Sequence, residues 1–251
     1  MAMKKHLRDE WNKAGYGSQM GSAEVVPPPP SEVLRLYHLT SAEFGISDIA
    51  LGRVKVARFS ESNDPFELLS MNCKSKDVRD AANSYKDEYS RAHGIVCFSA
   101  NWTNPVLWAH YANKHSGLAL GFDLPVGQTL VVDYQEKRSA FALSGPVSDL
   151  SDKVRDQLLR TKFKHWEYEA ERRLIVTLEA AQKEGNLYFL PFAGHLTLRE
   201  VVLGPACNLA LRSVRALVDA VYGVSDPVRV FCSRIAFGGF TVVPKESTVN
   251  W

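Results

Sequence analysis

The sequence is poor in the features that mark the commonest chemistries. It has 4 cysteines, at positions 73, 97, 207 and 232, and no two of them form a C-x-x-C pair. That scatter excludes a disulfide framework and a cysteine zinc site, and it reads as reduced, mostly buried thiols of a cytosolic protein. No G-x-S-x-G is present and Cys97 lies inside an apolar run, which argues against a serine or cysteine hydrolase. Gly238-Gly239 is too short for a phosphate-cradling loop and opens no helix. No apolar stretch approaches the roughly 20 residues of a membrane span. No signal peptide is expected either, so the expected location is cytoplasmic. An excess of one charge is also missing. Lys and Arg number 30 against 28 Asp and Glu, a net of +2, so the chain as a whole is not a nucleic-acid coat, although local basic patches stay open.

What is present suggests one domain behind an arm. Residues 1–30 combine a polar, helix-forming stretch that stops near Gly15-Tyr16-Gly17 with four prolines at 27–30, which must be extended. Residues 31–251 then alternate short strands and a few helices without regular β-α order, the pattern of an α+β fold. Expected strands are Val33–Leu39, Lys55–Phe59, Gly94–Ser99, Leu118–Phe122, Thr129–Tyr134 and Leu174–Leu178, then Leu187–Leu190, Leu198–Leu203, Val228–Ile235 and Phe240–Val243. Expected helices run from a Ser41 cap to a Gly52 stop, over Asp77–His93, from Asn104-Pro105 towards Gly117, from a Ser148 cap to about Phe163, and over Leu209–Val221. Asp64 can cap a helix with Pro65 in its first turn.

The densest chemistry is in Lys164–Val176. As a strand, its period of two puts Glu167, Glu169, Glu171 and Arg173 on one face, opposite Trp166, Tyr168 and Ala170. As a helix end, Glu169 and Arg173 are four apart and form a surface pair. A row of buried acids would need a cation, water or ligand opposite, because an unpaired buried carboxylate is costly.

Several words stand out beside it: Tyr37-His38-x-Thr40, Asn63-Asp64-Pro65-Phe66-Glu67, and Cys97-Phe98-Ser99. They continue with Trp108-x-His110-Tyr111-Ala112-x-x-x-His115-x-Gly117-x-x-x-Gly121-Phe122-Asp123 and Trp166-x-Tyr168-Glu169-x-Glu171-x-Arg173. In this order and spacing they resemble a widespread bacterial family known only as a domain of unknown function. More distantly, the first, middle and last words look like the motifs of His-Tyr-Glu-type ADP-ribosyltransferases, including the DNA-modifying toxins.

That resemblance implies a single ADP-ribosyltransferase-like domain with a split β-sheet core and peripheral helices over 31–251. It implies NAD as substrate and a nucleic acid or protein as acceptor, with an antitoxin or regulatory protein as a further partner. By the same likeness His38 would bind NAD, with Thr40 and Ser99 in the cofactor set. Tyr111 or Trp108 would stack on the nicotinamide, and Arg58 would meet the pyrophosphate. Glu171, with Glu169 as its competitor, would hold the ribose hydroxyl. The chemistry agrees with the residue types: breaking the nicotinamide–ribose bond develops an oxocarbenium-like cation, which a fixed carboxylate stabilises. Asn63, Asp64, Glu67, His110, His115 and Arg173 complete the candidate set.

Each of these residues also has a structural reading. His38 can be a strand-end histidine bonded to backbone, and Trp108 and Tyr111 can be core aromatics. Asn63-Asp64-Pro65 can be a capping turn that leaves Glu67 without a task. His110 and His115 are five apart and share no helical face, so no metal is expected. Two other functions use the same residues: an NAD glycohydrolase with water as acceptor, and a non-catalytic ligand-binding or sensor module.

Overall fold

Strand β1 (Val33–Thr40) leads to Ser41, whose hydroxyl accepts the Phe44 amide and starts helix α1 (Ala42–Leu51). Gly52, at φ 61°, ends that helix in the left-handed region where a Cβ is penalised. Strand β2 (Arg53–Arg58), helix α2 (Lys76–Ala92), strand β3 (His93–Ser99), helix α3 (Pro105–Tyr111) and strand β4 (Leu118–Pro125) follow. This computed structural model describes residues 32–139, 150–223 and 227–246, so the arm at 1–30 and Ser148 lie outside the described residues. The helix expected from Ser148 to about Phe163 is corrected to Asp152–Arg160, with Ser151 as its cap through the Val154 amide (3.4 Å) and a strand over 161–163. The chain continues through β5 (Leu130–Val131), β6 (Asp133–Gln135), α4 (Asp152–Arg160), β7 (Thr161–Phe163) and β8 (Glu171–Thr177). It ends with β9 (Gln182–Glu184), β10 (Leu187–Pro191), β11 (Thr197–Leu203), α5 (Leu211–Tyr222), β12 (Arg229–Ile235) and β13 (Val242–Pro244).

Eleven strands form one large mixed sheet, in the order β13-β12-β11-β4-β1-β3-β2-β10-β9 with β8 and β5 branching from β3, and β6 and β7 form a separate parallel pair. Most neighbours are antiparallel; β11 and β12, joined through α5, are parallel. The sheet forks at β3. One edge of β3 pairs with β8 over its whole length, from His93 opposite Thr177 to Ser99 opposite Glu171. Its other edge is shared: β1 touches it only at Ser99, and β2 only at Gly94 and Ile95. The two wings therefore diverge from one strand. The whole is a single domain of mixed α/β class.

Strand alternation sorts the core. Leu118, Leu120, Phe122 and Leu124 of β4 join Leu36, Phe98, Ile49 and Val218 on the face covered by α1 and α5. Ala119 faces the opposite side, with Trp102, Leu107, Trp108 and Val202. A second cluster on that opposite side, around Phe59, Leu68, Met71, Tyr85 and Leu158, holds α2 and α4. Two glycines are required by close approach. A Cβ on Gly117 would stand 2.1 Å from the Thr40 carbonyl oxygen, and one on Gly204 would stand 2.3 Å from that of His115.

Three other expectations are corrected. Pro65 opens no helix: Asp64 caps a tight turn through the Phe66 amide (2.9 Å), and Leu68 at φ 61° closes it. Lys164–Glu169 is a 3-10 turn and not part of a strand, because Ala170 at φ 44° breaks the chain direction just before β8. The cysteines are not mostly buried; Cys97 is exposed and the other three are intermediate. Cys97 sits on the face of β3 that carries the site described below.

Asp48 in α1 supplies a pH test of this packing. Burial raises its pKa to about 7, with Arg53 offsetting part of the shift. An acid raised this way contributes stability at low pH that is lost as pH rises from its unfolded value of about 3.9. The stability advantage of Asp48→Asn, followed by urea unfolding, is expected to grow between about pH 4 and 7 and to level off above. A difference that stays flat with pH would show that Asp48 is not desolvated.

Candidate functional site

The site lies on the face of β3 and β8 away from α1 and α5, between the two smaller clusters. In the β3–β8 register Cys97 stands opposite Arg173 and Ser99 opposite Glu171, so these four side chains share one face. The left-handed residue Ala170, whose carbonyl accepts the Ala100 amide (3.0 Å), fixes the turn that precedes Glu171. That turn buries Glu169 beside Glu171 and leaves Glu167 exposed. Strand β7 brings in Lys162, and the Asp64 turn brings in Glu67 from the opposite direction.

Arg173 is the centre, with 0% of its surface exposed. Its guanidinium forks onto Glu67, with Nη1 to Oε1 at 2.7 Å and Nη2 to Oε2 at 2.9 Å. Nε reaches Glu171 Oε1 at 3.0 Å, Nη2 reaches Glu171 Oε2 at 3.3 Å, and Nη1 also donates to the Leu159 carbonyl at 2.8 Å. All its donors are used. Lys162 donates to Glu171 Oε2 at 2.9 Å and to Glu169 Oε2, and its ammonium lies 5.0 Å from the centre of the Trp166 ring. The Tyr111 hydroxyl donates to Glu169 Oε1 and accepts from Asn63 Nδ2 at 2.9 Å. The Glu171 amide donates to the Tyr134 hydroxyl oxygen at 2.8 Å.

Three carboxylates thus share two cations, and the imbalance appears in their titration. Glu171 is buried, but Arg173 and Lys162 outweigh the burial and hold its pKa down at about 2. Burial raises Glu169, against the pull of Lys162, and also raises Glu67, against the pull of Arg173. Burial and the neighbouring Glu169 push the Tyr111 hydroxyl up, so it stays a donor. Glu169 is therefore less firmly compensated than Glu171, and its partner Tyr111 is only half-buried.

Cys97 borders the network on β3, opposite Arg173. The surrounding protein, with Glu171 next, drives that thiol pKa well up although the side chain is solvent-accessible. A cavity of about 270 Å³ borders the network at Lys162, between Phe66, Leu69, Arg138 and Phe163.

The structure brings Asn63, Glu67, Tyr111, Glu169, Glu171 and Arg173 together. Ser99 borders them, opposite Glu171 in the register, and the other candidates have other places. Trp108 is fully buried, its Nε1 donates to the Trp102 carbonyl at 2.6 Å, and no ligand can stack on it. Arg58 pairs with Glu61 (3.0 Å) and borders a separate cavity of about 400 Å³ with Ser60, Arg91 and Tyr188. His38 alternates with Tyr37 along β1 and so lies on the opposite face, with its ring edge-on to Phe98. Its Nδ1 donates to the Cys97 carbonyl (2.9 Å) at the fork between the wings. Burial lowers its pKa, the Cys97 carbonyl raises it back in part, and no carboxylate contributes. Thr40 is buried and packs near Gly45, and the Ser99 hydroxyl accepts the Asn101 amide (3.3 Å). Asp64 serves the turn, His110 lies 6.0 Å from the Tyr168 ring on the surface, and His115 sits at φ 72° in the loop to β4. Among the described residues no cluster of metal-ligating side chains occurs.

Lys162 and Tyr134 are the members that sequence reasoning missed. Lys162 falls in a stretch expected to be helical, where its direction cannot be read, and Tyr134 lies on a strand that carries no motif. No family model, curated protein or solved structure matches the chain.

Removing Arg173 would leave two dry carboxylates facing each other. Arg173→Met is expected to destabilise the fold by about 3–5 kcal/mol in urea titration, because an uncompensated buried charge remains. Adding Glu67→Gln should recover part of that loss. A cost below about 1 kcal/mol for Arg173→Met, the range of a surface pair, would contradict the buried fork.

Proposed function

We propose that this chain is an NAD-dependent ADP-ribosyltransferase of the toxin or defence-effector type, with its reacting centre at Glu169 and Tyr111. The observation that carries the reading is the carboxylate excess: Glu169 is held by the half-buried Tyr111 and by Lys162, in a cluster with more acids than cations. Such a site stabilises positive charge that develops during reaction, as it does on a ribose losing nicotinamide. The raised pKa of Glu169 also suits a group that takes a proton from an acceptor hydroxyl or amine. Glu171, whose oxygens are bonded out by Arg173 and Lys162, acts as a fixed anion that positions Lys162, and the sugar contact passes to Glu169. Tyr111, not the buried Trp108, is the aromatic available to the nicotinamide.

One observation favours a second reading. His38 points away from the carboxylates, and a ligand-binding or sensor module needs no imidazole beside them. An NAD glycohydrolase shares the first reading, with water in place of the acceptor.

Nicotinamide release from NAD by the purified chain, with nucleic acid and protein acceptors supplied in turn, separates these. Glu169→Gln is expected to slow release by about 100-fold or more, with an unchanged circular dichroism spectrum. The acid limb of the wild-type rate should fall above the ordinary glutamate value of about 4.3, since burial raises this carboxyl. No nicotinamide release with any acceptor, together with no NAD binding by calorimetry, would leave the sensor reading standing.

A further inference from the structure

The β12–β13 hairpin carries the most exposed apolar side chains of the described residues. Phe237 and Phe240 are 94% and 101% exposed, and Ile235 beside them is 49% exposed. The Ala236 amide bonds the Thr241 carbonyl (2.9 Å), so the loop between them is closed and both rings stand at its tip. Gly238 and Gly239 separate them, and a Cβ on either would meet nothing within 4 Å beyond its chain neighbours, so no other part of the described chain covers the tip. Bare aromatic rings lose free energy in water, which marks a surface with a use.

The surroundings of the rings select the occupant. Between Asp226 and Glu246 the chain holds Arg229, Arg234 and Lys245; Arg229 pairs with Glu200 (3.9 Å), so Arg234 and Lys245 are the cations the hairpin offers to a partner. The Arg234 guanidinium lies 4.4 Å from the centre of the Phe237 ring. Lys245 is exposed at the end of the same hairpin. Flat rings interleaved with cations suit a partner with flat faces and a repeating negative charge, which is single-stranded nucleic acid. An apolar protein groove would gain nothing from the cations.

The position of the hairpin is equally specific. The Thr241 hydroxyl and the Val242 amide both donate to the Thr103 carbonyl, at 3.0 and 2.7 Å. The next residue, Asn104, donates to the Tyr168 carbonyl (3.2 Å), immediately before Glu169. The hairpin is thus anchored to the same short loop that holds the acidic turn.

We propose that Phe237 and Phe240 stack on unpaired bases of a single-stranded nucleic acid whose phosphates meet Arg234 and Lys245. For the transferase reading this names the acceptor class; the binding itself does not depend on that reading. The test is fluorescence anisotropy of labelled oligothymidine and oligouridine with the full chain at low salt and without NAD. Saturable binding is expected, and the stronger arm identifies the backbone preferred. Phe237→Ala with Phe240→Ala, and equally the Leu pair, should weaken it about tenfold or more, whereas the Tyr pair should retain it. Melting temperatures should not move, since the rings pack on no core. No saturable binding in either arm would overturn the proposal. So would binding that both the Ala and Leu pairs leave intact. A concentration-dependent dimer dissolved by the Ala pair would also overturn it, by showing that the rings meet a second copy. Because NAD is absent from the assay, its failure and a failure of nicotinamide release are separate results.

Discussion

A fully dry guanidinium is the constraint around which the rest of this domain is arranged. Arg173 has no exposed surface and answers its desolvation with the Glu67 fork, the Glu171 carboxylate and the Leu159 carbonyl. Those partners come from a turn after β2, from β8 itself and from the end of α4. None can shift without stranding a charge in the interior. The tight Asp64 turn, the end of α4 and the register of β8 on β3 are therefore coupled through one side chain. Glu67, which has no evident duty in the sequence, is half of that fork.

The same arithmetic divides Glu169, at the end of the turn, from Glu171, at the start of β8. Glu171 is saturated and held ionised, whereas Glu169 shares Lys162 and completes its bonding with a tyrosine. A third carboxylate in a cluster with two cations is energetically exposed, and that leaves it ready to meet a positive charge from outside. The fork of the sheet matters here as well. Because β1 and β2 leave the same edge of β3, the Cys97 carbonyl has no strand partner, and His38 supplies one. His38 closes the fork from the far face, a structural task that any proposed chemistry must accommodate.

Other words of the sequence resolve into packing. Arg35 forks onto Asp123 at 2.8 and 3.0 Å, and Tyr37 bonds Glu200 at 2.9 Å, a second polar layer across β1, β4 and β11. A Cβ on Gly121 would stand 2.9 Å from the Tyr37 ring and 3.0 Å from the Glu200 Cβ, so that layer requires a glycine there. Gly117 and Gly204 let the loop after α3 close on β1 and β11. This loop runs through Asn113, Lys114 and His115 in succession in the left-handed region, and each carries a Cβ penalty that the loop's contacts must outweigh.

The sequence by itself determined where most elements begin and end, because their signals are local. Ser41 and Gly52 bound α1, Asn104 caps α3 and Gly223 stops α5 through the side chains or backbone angles of those residues alone. It also singled out the acids and aromatics of the site, since their types and spacing are visible without a fold. It did not show the 3-10 turn before β8, where an alanine in a left-handed angle overrides strand alternation. It did not distinguish Trp108 from Tyr111, three residues apart on one short helix, because burial separates them and not residue type. Tertiary structure alone decided which carboxylate meets which cation. Arg173 and Glu67 are 106 residues apart, and no local rule reaches that far. Only the forked sheet, by pairing β3 with β8 and leaving one face between two cores, makes them neighbours.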